Sequence, residues 1–176
     1  MTEGDLGTLA EHEGEWQVRF ERRLRHPLEK VWRAVTEREH MQAWFPDEMD
    51  GERRAGAPLT FRDKGMNMTF EGEMLVFEPM STMELQWGPT NKLRIDLRAD
   101  GDETVLTLVE TLGELGEAAR DAAGWHECLD RLVADLAGEE PPSFGTVWAR
   151  IHPAYVEAFG PEAATIGPPE GWQPPS

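Results

Sequence analysis

A single cysteine, Cys128, excludes an intramolecular disulfide and any Cys-rich zinc site. No apolar run approaches the roughly 18 residues of a membrane-spanning helix. The opening MTEGDLGTLAEHEGE is acidic and lacks the basic and apolar segments of a secretory signal. Basic residues are few: 17 Lys and Arg stand against 34 Asp and Glu, a formal net charge of −17. Such a chain repels phosphate backbones and anionic membranes, so no nucleic-acid binding and no membrane insertion are expected. There is no P-loop, dinucleotide fingerprint or nucleophile elbow. His12, His26, His40 and His152 show no ligand spacing, and His12-Glu13 lacks the second histidine of a zinc protease. The expectation is a cytoplasmic protein with no metal and no cofactor, its acidity serving a solvated surface.

What the chain does have is a core. It has 176 residues, 39% of them apolar, with seven Trp and seven Phe, enough for one domain plus extensions. Residues 1–14 have no periodicity and read as a flexible N-terminal tail. Trp16, Val18, Phe20 and Leu24 then alternate with polar residues, a half-buried strand that Arg22 interrupts. Pro27 ends it and suits the first turn of a helix, in which Leu28, Val31, Trp32 and Val35 share a face. Met41, Trp44 and Phe45 repeat that spacing in a second short helix closed by Pro46. A loop through Asp47, Asp50, Gly51 and Gly56 follows.

The middle of the chain alternates with period two. Leu59 and Phe61 open a short strand. Met66, Met68, Phe70, Met74 and Val76 share one face of the next, with Gly72 among them. Met83, Leu85 and Trp87 form another, then Leu93, Ile95 and Leu97, then the run from Thr104 to Leu112. Turns at Gly88-Pro89-Thr90-Asn91 and Ala99-Asp100-Gly101-Asp102 recur at meander spacing. From Leu115 to Gly138 the period becomes helical: Ala118, Ala122, Trp125, Leu129, Leu132 and Leu136 fall on one face. Glu114 and Glu117 favour the start of that helix and Gly138 its end. Beyond it lie eight of the 13 prolines, yet Phe144, Trp148, Ile151 and Tyr155 keep helical spacing. Residues 139–176 therefore read as a Pro-rich extension with a short docking helix and a disordered end from about Gly167. A packing face for the parent domain is the first reading of that stripe and a dimer contact the second, so the state is monomer or homodimer.

The run His26-Pro27-Leu28-Glu29-Lys30-Val31-Trp32-Arg33-Ala34-Val35-Thr36, followed by Trp44-Phe45-Pro46, resembles the opening motif of the activator-of-Hsp90-ATPase homologue family, within the SRPBCC (START-like, helix-grip) superfamily. Gly72-Glu73 with Pro79 and Leu85-Trp87, and Gly124-Trp125 with Leu129 and Leu132, are weaker matches. Together they cover residues 15–138. The resemblance implies an α+β helix-grip fold: a curved antiparallel sheet of about seven strands wrapped around a long C-terminal helix, with two short helices after the first strand. It also implies a cavity between sheet and helix, where many relatives bind hydrophobic small molecules.

The expected ligand-binding residues are Trp44, Phe45, Met66, Met68, Phe70, Met74, Leu85, Trp87, Leu93, Ile95, Trp125, His126 and Leu129. Methionines suit an adaptable apolar wall, and aromatic walls with a few polar groups make pockets; the bland reading of each is core filling. Gly124 weakens its helix by about 1 kcal/mol, which either close approach or simple tolerance explains. Cys128 reads as a buried apolar residue. Glu71, Glu73 and Glu84 fall on the solvent face, so no paired-carboxylate site is expected. The leading function is a non-enzymatic carrier or sensor of a hydrophobic small molecule. The first alternative is a cyclase or dehydratase-like enzyme, with His126 as the best acid/base candidate. The second is a chaperone-modulating interaction protein. Fold alone does not choose among them.

Overall fold

The computed structural model describes residues 5–175. Eight strands make one antiparallel sheet: β1 (Thr8–His12), β2 (Glu15–Leu24), β3 (Asp47–Asp50), β4 (Pro58–Asp63), β5 (Thr69–Glu78), β6 (Thr82–Trp87), β7 (Asn91–Asp100) and β8 (Glu103–Thr111). Their order across the sheet is β1-β2-β8-β7-β6-β5-β4-β3. The helices are α1 (Leu28–Thr36), α2 (Arg38–Met41), α3 (Ala118–Leu136) and α4 (Thr146–Phe159). This is the α+β helix-grip architecture that the family resemblance implies, with one strand more than expected.

Period-two alternation sets the inner face of the sheet. Phe20 pairs with Leu108, Leu108 with Ile95, and Ile95 with Met83, all four buried. Leu93, Leu85 and Met74 form the next row, also buried. Gly72 is forced by geometry: a Cβ there would sit 2.1 Å from the Gln86 carbonyl oxygen and 2.7 Å from the Phe61 ring. Against this face lies α3, which buries Ala118, Ala122, Trp125, Leu129, Leu132 and Leu136. A 3-10 turn at Leu115–Glu117 precedes it, closed by a reciprocal capping box between Glu114 and Glu117. Gly138, at φ +75°, ends it.

Four expectations need correction. Residues 8–12 are not a tail but the edge strand β1, joined to β2 by a two-residue turn at Glu13 (φ 51°) and Gly14 (φ 83°). Both turn residues have positive φ, as a tight hairpin requires; residues 1–4 of the expected tail lie outside the described residues. Asp47–Asp50, expected as loop, is the opposite edge, short and acidic, a composition that discourages edge-to-edge association. The second short helix stops at Met41, but the amides of Trp44 and Phe45 still bond the Met41 carbonyl, so both rings turn inward as the spacing implies. Met66 and Met68 do not belong to the inward face. They occupy the β4–β5 hairpin, closed by Asp63 N–H to Met68 O (2.8 Å), and are 55% and 60% exposed. The alternation in Met-Asn-Met-Thr-Phe carries through a turn that Lys64-Gly65 had already begun.

The extension packs on the domain over its described length. Glu127, on α3, is buried and its carboxylate accepts the backbone N–H groups of Gly145, Val147 and Trp148 at 2.8–3.1 Å. Four such amides are left unpaired at every helix start, and a carboxylate there also meets the positive end of the helix dipole. Further along α4, the Tyr155 hydroxyl accepts Gly7 N–H (2.8 Å) and is hydrogen-bonded to His126 Nδ1 (2.7 Å). One hydroxyl thus ties the N-terminal hairpin, the long helix and the extension together. Beyond Gly167, the expected disordered end instead places Trp172 against Trp148, with ring centroids 4.9 Å apart.

Candidate functional site: a two-tryptophan chamber

Five aromatic rings close a circuit at one end of the sheet–helix interior. Phe45 meets Trp125 (5.7 Å between centroids), Trp125 meets Trp87 (5.2 Å), and Trp87 meets Phe70 (6.2 Å). Phe70 stacks on Phe61 (5.1 Å), and Phe61 returns to Phe45 (6.4 Å). Trp44, Met74, Leu85, Leu93, Ile95 and Leu129 are buried in the core. Beside this circuit lies a half-open chamber of about 180 Å³, with Trp87, Trp125, Pro46, Cys128, Asp121 and Phe144 among its walls. Gly124 opens it: a Cβ built there meets nothing within 4 Å. The glycine is therefore not required for close packing of α3 on the sheet. It leaves room.

Both tryptophans are held from behind by buried carboxyl groups. Trp87 Nε1 donates to Asp47 Oδ2 at 2.7 Å, and Trp125 Nε1 donates to Glu110 Oε1 at 3.0 Å. Burial pushes Asp47 up to about 6, against the Trp87 hydrogen bond that favours its carboxylate. Glu110 is fully buried; Asn91 Nδ2 also donates to it, at 2.8 Å. Its carboxyl neighbours that of Asp121. Burial, and then the neighbouring Asp121, hold Glu110 well above the usual carboxylate range. Like charges this close cannot both ionise, so the pair shares a proton. Asp121 takes the anionic role because Arg120 Nε contacts its Oδ1 at 2.7 Å. A carboxyl pair of this kind can lend or take a proton at the chamber wall.

The expected site residues divide accordingly. Phe45, Phe70, Trp87 and Trp125 form the aromatic circuit, and Trp87 and Trp125 reach the chamber. Trp44 is buried with its Nε1 donating to Ala34 O at 2.9 Å, a packing role. Met66 and Met68 are on the surface, although Met66 borders an outer groove. His126 does not face the chamber. It lies on the α4 side of α3, between Phe20 and Tyr155. Its Nδ1 is hydrogen-bonded to the Tyr155 hydroxyl, and its Nε2 has no hydrogen-bond partner among the described residues. Burial lowers its pKa to about 4, so it is neutral at pH 7. Burial raises the thiol pKa of Cys128 far above its ordinary value, which removes it as a nucleophile.

Sequence reasoning missed Glu110 and Asp121, so the expectation of no paired carboxylates is also corrected. The signal was present: Leu106, Leu108, Glu110 and Leu112 are consecutive members of one strand face, and Asp121 precedes Trp125 by one helical turn. Among the described residues no group of His, Cys, Asp and Glu could hold a metal ion, and no helix is long and apolar enough to cross a membrane.

The family model described as activator of Hsp90 ATPase homolog 1-like protein matches residues 25–137, which span α1 through α3. The chain belongs to that family. Within the Hsp90-activator-like domain lie Trp87, Glu110, Asp121, Gly124 and Trp125; Phe144 and all of α4 lie outside it. No curated protein matches the chain in sequence. Among solved structures, the crystal structure of CalU16 from Micromonospora echinospora is 21% identical and superposes with a TM-score of 0.71, over 87% of this chain and 96% of that one. A protein of Bordetella parapertussis, BPP1335, is 26% identical with a TM-score of 0.65, over 79% and 84%. DynU16, a protein of the dynemicin biosynthetic locus, is 26% identical with a TM-score of 0.63, over 70% of this chain and 48% of that one.

Proposed function

We propose that this member of the Hsp90-activator-like family binds a hydrophobic small molecule in the chamber beside Trp87 and Trp125. The observation that carries the reading is the half-open pocket of about 180 Å³ at Gly124, beside the circuit of five aromatic rings. A pocket walled by two indole rings and Phe144, with Arg120, Asp121 and Glu127 as its polar groups, has the makeup of a ligand site. The function is that of a carrier or sensor. A ring compound such as naphthalene serves as probe, because Trp87 and Trp125 would report it by fluorescence. Wild-type protein should bind it saturably, with a negative heat-capacity change in calorimetry. Gly124→Leu should abolish binding while the fold, followed by circular dichroism, persists. Equal binding in both proteins rules the chamber out.

One observation favours a second reading, an enzyme that uses the same chamber. The Glu110–Asp121 pair supplies the acid/base group that His126 cannot, and Asp121 lies on the chamber wall. Glu110→Gln keeps one oxygen to accept from Trp125 Nε1, replaces the oxygen that accepts from Asn91 Nδ2 by an amide N–H2, and removes the shared proton. Turnover of any candidate substrate should then fall by roughly the hundredfold or more typical of a lost acid or base, with probe binding retained. Turnover that survives the substitution removes the pair from the mechanism.

A further inference from the structure

The chamber does not end at Phe144. A larger groove of about 560 Å³ adjoins it and shares Pro46, Arg120, Glu127 and Phe144 as walls. Its remaining sides include Met66 at the β4–β5 hairpin and Trp148, Pro168, Pro169 and Trp172 of the extension. Phe144 sits at the junction. It is 38% exposed, and the Arg131 guanidinium lies 4.0 Å from its ring centre. Its loop is pinned on one side by Arg131 Nη1 to Pro142 O (2.5 Å) and on the other by Glu127 to Gly145 N–H. The aromatic and proline surface of this groove thus comes largely from residues 139–175, outside the matched family domain.

The charged groups along both compartments are engaged within the protein. Lys64 Nζ donates to the carbonyls of Gln42 (2.7 Å) and Phe45 (2.8 Å), and burial lowers its pKa. Arg120 pairs with Asp121 and with Glu117. Asp63 Oδ1 accepts Met66 N–H, and Glu127 is taken by the start of α4. Removing a charge from water is unfavourable unless a partner waits for it, and each of these charged wall groups already holds a protein partner. We infer that the ligand is an uncharged, elongated molecule, with a ring system in the inner chamber and an apolar chain or second ring in the outer groove. The extension, through Phe144, Trp148 and Trp172, then selects which ligands bind. This rests on the chamber reading above, since the inner end must be occupied for the outer groove to matter.

Three probes separate the two ideas: naphthalene, 2-butylnaphthalene and 2-naphthoate, each titrated against the full chain. Naphthalene tests the inner chamber alone. The butyl chain should tighten binding at least tenfold, and Met66→Glu or Trp172→Ala should erase that gain while leaving naphthalene unchanged. Met66 is exposed, so its substitution spares the fold. 2-Naphthoate should bind more weakly than naphthalene. Binding of naphthalene without any gain from the chain, or a gain that survives both substitutions, overturns the outer-groove inference and leaves the chamber standing. A naphthoate that binds more tightly than naphthalene overturns the uncharged ligand. Absence of naphthalene binding refutes the chamber and the inference together.

Discussion

Gly124 offers the sharpest test, because stability and binding should respond to it in opposite directions. A glycine inside a helix costs about 1 kcal/mol relative to alanine, through the conformational freedom its backbone loses on folding. That cost is normally offset by a close approach that only glycine permits, as at Gly72. At Gly124 the position of the missing Cβ is empty to 4 Å. Gly124→Ala should therefore raise stability by about 0.5–1 kcal/mol, which is a rise of roughly 1–4 °C in Tm for a chain of this size. Gly124→Leu should keep much of that gain, because leucine is also a good helix former and its side chain enters apolar space beside Trp87 and Trp125. It should at the same time occupy the chamber and eliminate ring-compound binding. Differential scanning calorimetry with a fluorescence titration reads both quantities on one preparation. A Gly124→Ala variant that melts below the wild type would refute the reasoning, since it would mean that the helix approaches a neighbour at that point. A Gly124→Leu variant that is more stable yet binds normally would place the ligand elsewhere.

Three further predictions concern the buried polar groups. Replacing Glu127 with Ala strips the start of α4 of its acceptor and should cost about 2–4 kcal/mol; limited proteolysis should then cut within residues 139–145, and resistance equal to wild type would show that the extension is held by other contacts. Tyr155→Phe leaves both Gly7 N–H and His126 Nδ1 without a partner in a buried setting, so we expect a loss of about 2–3 kcal/mol and faster hydrogen exchange at the Gly7 amide; unchanged exchange there would break the proposed link. Asp47 is raised to about 6 when folded, against an unfolded value of about 4. Between those pH values the unfolded chain has released a proton that the folded one keeps. Its stabilising contribution is thus complete below about pH 4 and is lost as pH rises through 6, a swing of up to about 3 kcal/mol. Asp47→Asn does not titrate, so its stability relative to wild type should climb across that window and level off near pH 7; parallel pH profiles would contradict the assignment.

The chain's own pattern determined a great deal. The two-residue alternation of Phe20, Leu85, Leu93 and Leu108, the helical face from Ala118 to Leu136, and the turn residues between them specify strand, helix and inner face locally, because a side chain's direction follows from backbone period alone. The family motif around Trp32 and Trp44-Phe45-Pro46 then supplied the order of assembly. The edge strands escaped notice because β1 carries one large apolar residue, Leu9, and β3 one, Met49, too few to display a period. Met66 and Met68 were misplaced because alternation says nothing about where a strand stops and a hairpin begins.

Only the tertiary structure decided which inward residues meet empty space. Trp44, Phe45, Met74, Leu85 and Trp125 look alike in sequence, and whether each fills a core or borders a chamber depends on how α3 lies across the sheet. His126 and Trp125 are adjacent, yet one helical step of about 100° turns the indole toward Glu110 and the imidazole toward Tyr155. Glu110 and Asp121 become a proton-sharing pair only when a strand and a helix are brought together over an intervening loop. The outer groove needs more still, because it exists only once Glu127 has anchored α4 and folded the extension back over the mouth of the chamber. Local period fixes the direction of a side chain. The partner it finds there is set by contacts between residues far apart in the chain.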